Sequence, residues 1–224
     1  MSVSIYFGTS KHAVYAAEIC ALIEKAAQQR GTGIAKRDPE YIKNKFKNEN
    51  AVIALDGKKL VGFCYIEIWE NKKYVANSGL IVHPEYRNRG LAKQIKSKAF
   101  ELSSKKYPGS KLFGITTSLA VMNINSELGY KPVTFSELTQ DETFWVGCKS
   151  CPNYDILSRN DSKNCLCTGM LYNPQVQYKK PKAQEYVNMK KLYQWVQMKI
   201  TLIHKGLKPL TFFKSFVKGI VNKA

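Results

Sequence analysis

An apolar strand that runs into a basic, glycine-containing turn and then into a long helix constrains the fold more than any other feature of this sequence. The run Gly79-Leu80-Ile81-Val82 is followed by this turn, and a helical pattern covers residues 89–106. Unpaired N–H groups and the positive end of the helix dipole attract anions to a helix start. Arg87 and Arg89 add cationic donors, and Gly90 leaves the backbone open to close approach. The turn therefore predicts a site for a phosphate-bearing ligand.

The order of the remaining elements indicates a mixed α/β sheet. Residues 51–55 and 60–69 have strand patterns around Asp56-Gly57, which is a strong hairpin signal. Antiparallel strands thus come first, and strands separated by helices come later, as in a mixed sheet. Further strands are predicted at 2–7, 74–83, 112–117 and 131–135, and helices at 12–29, 38–47, 89–106 and 121–128. Gly79, inside a predicted strand, indicates a bulge or a close backbone approach.

The stretch from Arg87 to Ala92 reads Arg-x-x-Gly-x-Ala directly after a strand. This motif, with the element order, resembles the acyl-CoA motif Gln/Arg-x-x-Gly-x-Gly/Ala of the GNAT acyltransferase superfamily. The resemblance covers residues 1–135 by element order and is strong over 79–93. The alternative is a basic turn on an ordinary α/β protein.

The resemblance implies where acyl-CoA binds. The pyrophosphate would lie on the N–H groups of residues 88–92, and the pantetheine would lie along the strand, with the thioester near Gly79. The residues predicted to contact CoA are Leu80, Ile81, Val82, Arg87, Asn88, Arg89, Gly90, Leu91, Ala92 and Asn123.

The segment "INSELGYKP" resembles the later helix of the same family, which ends in Leu-Gly-Phe or Leu-Gly-Tyr. Many members carry a tyrosine four residues before that glycine as the general acid for the CoA thiolate. Here the position holds Asn125, whose amide donates hydrogen bonds but no proton. The role would then pass to Asn123, Ser126 or water. The alternative for Asn125 is an amide on the helix surface.

Transfer of an acyl group to an amine needs a base that removes the ammonium proton, and a donor for the thioester oxyanion. Glu67 is the predicted base because it lies near the end of the strand beside the proposed CoA strand. It shares strand parity with Phe63 and Tyr65, and such neighbours raise the pKa of a carboxyl group. The alternative is a solvent-facing strand glutamate.

Four cysteines fall within residues 148–167, in the pattern Cys-x2-Cys, thirteen residues, Cys-x-Cys. Two pairs of thiols can hold a tetrahedral zinc ion, so Cys148, Cys151, Cys165 and Cys167 are predicted zinc ligands. Buried free thiols or a redox pair are the alternatives. This region also resembles, more faintly, a bacterial subgroup linked to arginine biosynthesis that is proposed to acylate glutamate with acetyl- or succinyl-CoA.

Much of the formal charge of +18 comes from the C-terminal part of the chain. From Lys179 to Ala224 there are eleven lysines and one acidic residue, with apolar residues at helical spacing. Such a basic amphipathic extension can lie on an anionic membrane, or its apolar stripes can pack on the rest of the chain or on a second copy in a homodimer. No apolar stretch is long enough to span a bilayer and no secretion signal is visible, so a cytoplasmic location with reduced thiols is expected.

These observations together predict a GNAT-like fold in residues 1–174, with a cysteine-rich insert, and a helical extension in residues 175–224. The predicted activity is N-acyl transfer, most simply N-acetyl transfer, from acetyl-CoA or another acyl-CoA to a primary amine of a small molecule, glutamate being one example. A non-catalytic CoA-binding or regulatory module is one alternative. A basic nucleic-acid-binding protein is the other, but no DNA-reading motif supports it and no nucleic-acid partner is expected.

Overall fold

A single mixed sheet organises the part of the chain that the computed structural model describes, namely residues 3–31 and 33–176 and the isolated residue Gln194. The spatial order of its strands is β1-β2-β3-β4-β5-β7-β6. Only β4 and β5 are parallel to each other among the paired strands of these residues. The strands are β1 (Val3–Phe7), β2 (Ala51–Asp56), β3 (Lys59–Trp69), β4 (Tyr74–Val82), β5 (Lys111–Thr116), β6 (Lys131–Val133) and β7 (Thr168–Tyr172).

Helices cover both faces of this sheet. The helices are α1 (Ala16–Arg30), α2 (Pro39–Lys47), α3 (Leu91–Lys106), α4 (Leu119–Glu127), α5 (Glu142–Val146) and α6 (Tyr154–Arg159), and short 3₁₀ segments occupy Ser10–Tyr15, Pro84–Tyr86 and Phe135–Glu137. Helices α1 and α2 bury Ile23 and Phe46 against one face, in a core that includes Phe63 of β3. Helix α3 buries Ile95 and Ala99 against the other face.

Local sequence signals explain where two of the helices begin. Asp38 caps α2, because its carboxylate accepts from the N–H of Glu40 at 2.8 Å and the helix then starts with Pro39. Helix α3 starts at Leu91, two residues later than predicted, because Gly90 adopts the left-handed φ of 75° at its N-cap. Arg89 therefore belongs to the turn and not to the helix.

A bulge interrupts the pairing of β3 with β4, and it confirms the prediction for Gly79. Phe63 pairs with Ile81, whereas Tyr65 pairs with Ser78, so β4 has one extra residue in this interval. Gly79 has a φ of 64°, and a Cβ at this position would lie 2.3 Å from Cε1 of Tyr65. A side chain is thus excluded both by the backbone conformation and by the ring that lies over the glycine.

The parallel strands β4 and β5 separate after a short paired stretch. Their pairing runs from Tyr74 opposite Lys111 to Ala76 opposite Phe113, although both strands continue beyond these residues. We call the opening that begins at Asn77 and Gly114 the fork. Where two parallel strands separate, their facing N–H and C=O groups no longer bond each other. These groups can then form hydrogen bonds with an extended ligand that lies between the strands.

Strand β7 was missed by the sequence analysis, which ended the strand series at β6. β7 inserts between β5 and β6 and pairs antiparallel with both. The cysteine-rich segment, residues 148–167, lies in the connection between β6 and β7, together with the short helices α5 and α6. The cysteine-rich segment packs against a buried cluster that includes Trp145 and Phe113.

The predicted extension, residues 175–224, lies outside the described residues except for Gln175, Val176 and Gln194. Its predicted helices, membrane contact and packing therefore stay predictions. Within the described residues, no helix is both long and apolar enough to cross a membrane.

Candidate active site

The turn between β4 and α3 forms a concave, exposed backbone surface. Asn88 and Gly90 both adopt left-handed φ angles, of 61° and 75°. Left-handed residues in a turn direct successive N–H groups to one side, where they form an anion-binding concavity. No atom of the described residues lies within 4 Å of the position that a Cβ on Gly90 would take, so these residues leave the space above it open. The glycine is therefore required by its φ angle, whereas the sequence analysis attributed it only to close approach.

The two arginines of the turn have different partners. Arg87 donates from Nε to the carbonyl oxygen of Val82 at 3.2 Å, so part of its guanidinium group holds the turn against the end of β4. The guanidinium carbon of Arg89 lies 5.6 Å from the ring centroid of Tyr86. Tyr86 is fixed in turn by a hydrogen bond from its hydroxyl to Asp56, at 2.7 Å. Arg87 is thus held by the end of β4, and Arg89 lies beside a tyrosine of the turn that is itself bonded to the end of β2.

The predicted pantetheine strand runs from this turn to the bulge. Ile81 and Val82 are buried, and Leu80 packs against the core on the α3 side. Leu91 and Ala92 pack against the same core at the start of α3. The open turn, the fork and the bulge at Gly79 thus lie along one strand, and their residues fit an acyl-CoA whose pyrophosphate binds at the turn.

Glu67 lies on the α1–α2 side of the sheet, within a polar cluster. Its Oε1 accepts from Lys45 Nζ at 2.9 Å and from the hydroxyl of Tyr41 in a short hydrogen bond. The side chain of Glu67 is only 13% exposed. Glu67 is thus a covered, lysine-paired carboxylate, and the alternative of a solvent-facing strand glutamate is wrong.

Arg37 and Tyr65 extend this cluster towards the bulge. Arg37 donates from Nε to the Tyr65 hydroxyl at 2.6 Å, and the Tyr65 ring lies over Gly79. Burial raises the pKa of Tyr65 to about 12 and also raises the pKa of Tyr41, so both hydroxyls keep their protons at neutral pH. We call Arg37, Tyr41, Lys45, Tyr65 and Glu67 the acceptor-side cluster.

Sequence analysis identified only Glu67 within the acceptor-side cluster. The hydrogen bonds of this cluster join α2 and the α1–α2 connection to β3, and they link residues that are 22 to 28 positions apart in sequence. Such contacts leave no local spacing pattern. The available signal was the parity of Tyr65 and Glu67, which places both side chains on one face of β3.

The loop between α1 and α2 is tied to two later segments. The N–H of Lys36 donates to Oγ of Ser150, in the cysteine-rich segment, at 3.0 Å. Arg30 donates to the hydroxyl of Thr117, just after β5, at 2.8 Å. Two residues that precede Arg37 are thereby held by chain segments that are distant in sequence.

Asn125, which occupies the position of the family's tyrosine acid, is buried in α4. It is 1% exposed, and its Oδ1 has no hydrogen-bond partner in the part of the chain that the structure describes. The alternative of a surface amide is therefore wrong. Asn123, two residues earlier, is exposed. Nothing in its surroundings contradicts the predicted contact with CoA.

The structure does not support the predicted zinc site. Among residues 3–31 and 33–176, no group of three or more His, Cys, Asp or Glu side chains is arranged to hold a metal ion. Burial raises the pKa of Cys148 to about 11 and that of Cys167 to about 12, with further contributions from neighbouring thiols. Cys148, Cys165 and Cys167 pack against the aromatic cluster around Trp145, while Cys151 is half-buried.

Comparison with known proteins agrees with this geometry. Residues 19–118 match the profile of the acetyltransferase (GNAT) family. An uncharacterized N-acetyltransferase of Bacillus subtilis (strain 168), YfmK, is 38% identical over 72 residues, which are 32% of this chain and 47% of that protein. The chain thus spans about half the length of this curated relative.

Solved structures share the fold at low sequence identity. N-acetylglutamate synthase from Neisseria gonorrhoeae, complexed with coenzyme A and N-acetyl-glutamate, has a TM-score of 0.57 at 18% identity, over 79% of this chain and 36% of that one. YncA from Salmonella typhimurium, with acetyl-CoA, has a TM-score of 0.53 at 12% identity, and the match covers 82% of this chain and 99% of that one. Diaminobutyrate acetyltransferase EctA from Paenibacillus lautus, with its substrate and coenzyme A, has a TM-score of 0.53 at 11% identity, and the match covers 80% of this chain and 99% of that one.

These likenesses show the fold alone, whereas the family match covers the turn, the fork and the bulge. Residues 19–118 of this chain are thus similar to the acetyltransferase (GNAT) family, and the fold of the described residues is that of solved acetyltransferases.

Proposed function

We propose that the chain transfers an acetyl group from acetyl-CoA to the primary amine of a small molecule. The observation that carries this proposal is the continuity of the open turn, the strand Leu80-Ile81-Val82 and the bulge at Gly79. A ligand with pyrophosphate at one end and a thioester at the other needs these three features in this order. Acetyl-CoA supplies the activated acyl group when it binds, and residues 88–92 and Arg87 would hold its pyrophosphate.

The acceptor amine would approach from the α1–α2 side. The acceptor-side cluster adjoins the bulge there, because the Tyr65 ring covers Gly79. Glu67 is the proposed base for the ammonium proton. Lys45 and Tyr41 both bond its Oε1 and fix the carboxylate, so that Oε2 can accept the proton of the incoming ammonium.

The charges of the cluster favour an acceptor that carries an anionic group. Arg37 and Lys45 contribute two positive charges, against one negative charge from Glu67. An amino acid offers an amine for Glu67 and a carboxylate for the cations. Nε and Nη1 of Arg37 donate to Tyr65 and to the Lys36 carbonyl oxygen, so Nη2 is the nitrogen that would bind the carboxylate. Glutamate is one such acceptor and is to be compared with neutral and basic amines.

A screen for CoA release tests this proposal. Amino acids, diamino acids and polyamines would be offered with acetyl-CoA and, in parallel, with succinyl-CoA, and free thiol would be measured. We expect turnover with acetyl-CoA and an anionic amine, together with loss of that preference in Arg37→Met. Equal rates for polyamines and acidic amino acids would contradict the proposed acceptor class.

A non-catalytic CoA-binding module is the second candidate, and the asparagine at position 125 favours it, because the usual proton donor is absent. Calorimetry separates the two. Tight CoA binding without turnover of any offered amine would support the module, whereas turnover excludes it.

A further inference from the structure

Lys96 is a buried lysine on the α3 side of the fork. It is 2% exposed, and its Nζ donates to the carbonyl oxygen of Asn77 at 3.1 Å. Its Nζ also lies 5.6 Å from the ring centroid of Tyr130. Within the described residues, no acidic side chain pairs with it. A lysine buried without a carboxylate is costly and therefore points to a function.

The ammonium group lies where β4 and β5 separate. Asn77 directly follows the last β4 residue that pairs with β5, and Gly114 directly follows its partner. A Cβ on Gly114 would lie 3.4 Å from the Asn77 carbonyl oxygen and 3.9 Å from Lys96 Nζ. Lys96 therefore reaches the base of the fork, and the absence of a side chain at position 114 leaves the space beside its Nζ free.

The other buried polar groups of this region are poorly suited to donate a proton to a thiolate. Asn125 carries an amide, and its buried Oδ1 has no partner. Tyr130 already donates its hydroxyl to Oδ1 of Asn77 at 3.1 Å, and burial raises its pKa well above the ordinary value. Asn77 in turn donates to Ser103 at 2.7 Å. Among the residues that the structure describes, Lys96 is thus the one cationic donor of this buried group, and one of its three N–H bonds is used by Asn77.

We propose that Lys96 is the general acid of the transfer reaction, in place of the tyrosine that position 125 lacks. The amine attacks the thioester carbonyl from the acceptor side and loses a proton to Glu67. When the C–S bond breaks, the electron pair goes to sulfur, and Lys96 gives its proton to the sulfur, so that CoA leaves as a thiol. Lys96 regains a proton from solvent after product release.

This inference rests on the proposed function. Burial lowers the pKa of Lys96, while nearby Cys64 raises it by a smaller amount. A lowered pKa brings the ammonium closer in acidity to a thiol, which favours proton transfer between them. Cys64 on β3 and Tyr130 are the titratable groups that face Lys96, and both have pKa values raised by burial, so both are neutral at pH 7.

A purely structural role is the competing explanation, because Lys96 also satisfies the Asn77 carbonyl. Two variants separate the roles. Lys96→Gln keeps a donor for that carbonyl but has no proton to give, and Lys96→Met removes the donor as well. Lys105→Met, an exposed lysine of the same helix, is the matched control.

The first measurement needs no acceptor: the pKa of the thiol of bound CoA, from the ultraviolet absorbance of its thiolate as pH is raised. A nearby ammonium stabilises the thiolate, so we expect this pKa to rise by about one unit or more in Lys96→Gln and Lys96→Met. We expect CoA affinity by calorimetry to change less than about threefold, because the pyrophosphate contacts remain. With an active amine, kcat should fall about 100-fold or more in both variants.

Full turnover in Lys96→Gln, or an unchanged pKa of the bound CoA thiol in both variants, would overturn the assignment. If Lys96→Met does not fold, Lys96→Gln alone decides, since it keeps the bond to Asn77. Failure of the wild-type chain to bind CoA at all would instead refute the proposed function.

Discussion

Replacement of Gly90 by glutamate tests the anion site most directly. Gly90 has a φ of 75°, so any side chain strains the backbone, by about 1–2 kcal/mol. No atom lies within 4 Å of the Cβ position, so steric overlap adds nothing to this cost. The new carboxylate would face the two charges of a pyrophosphate. At a separation of about 6 Å and an effective dielectric constant of about 40, the repulsion is about 3 kcal/mol, which corresponds to about 100-fold in Kd.

Gly109 provides the control for the backbone strain. It has a φ of 85°, also has no atom within 4 Å of its Cβ position, and follows the other end of α3. Gly109→Glu should therefore lose similar stability in a thermal melt but keep its affinity for CoA.

Arg87→Ala should weaken CoA binding by about 1–3 kcal/mol, because the backbone donors of the turn remain.

Calorimetric titration of CoA into the three variants and the wild type gives the answer. We expect Gly90→Glu to bind at least about 100-fold more weakly while its melting temperature matches that of Gly109→Glu. Unchanged affinity in Gly90→Glu would refute the assignment of the pyrophosphate to this turn. Equal losses of affinity in Gly90→Glu and Gly109→Glu would attribute the effect to strain and not to charge.

Three further predictions concern the cluster, the bulge and the cysteines. Glu67→Gln should lower kcat more than it raises KM, because a base acts mainly in the transition state; an unchanged pH–rate profile would assign the role elsewhere. Gly79→Ala should lower the free energy of unfolding by about 2–4 kcal/mol, measured by denaturant titration, since its Cβ would meet Tyr65 at 2.3 Å and its φ is 64°. At pH 8, Cys148 and Cys167 should react with an alkylating reagent far more slowly than a free thiol does, and their reaction should become faster as the pH rises towards 11. Mass spectrometry follows the alkylation, and fast reaction at pH 7 would contradict the raised pKa values.

The sequence predicted those parts of the fold that depend on neighbours along the chain. Asp38 and Pro39 give the start of α2, the Asp56-Gly57 turn gives the β2–β3 hairpin, and Gly79 gives the bulge. Each is a local backbone requirement of one or two residue types. The arginine-containing turn belongs to the same class, because its predicted anion site is made from consecutive residues.

The remaining features depend on contacts that no local pattern encodes. Strand β7 is a short segment whose pairing with β5 joins residues far apart in sequence, so its periodicity gave no signal. The burial of Asn125 follows from the packing of α4 on the sheet and not from its own sequence context. Lys96 did carry a signal, since it lies among the apolar positions Ile95 and Ala99 of α3, where a lysine is unusual.

The bond between Lys36 and Ser150 bears on how this protein could change over evolution. It fastens the loop that carries Arg37 to the cysteine-rich segment, which lies outside residues 19–118, the part that matches the family profile. Substitutions in that segment could shift Arg37, and with it the proposed choice of acceptor, while the turn at Gly90 stays intact. The proposed acceptor preference could then diversify through a segment outside residues 19–118, without any change in the turn that is proposed to bind the donor.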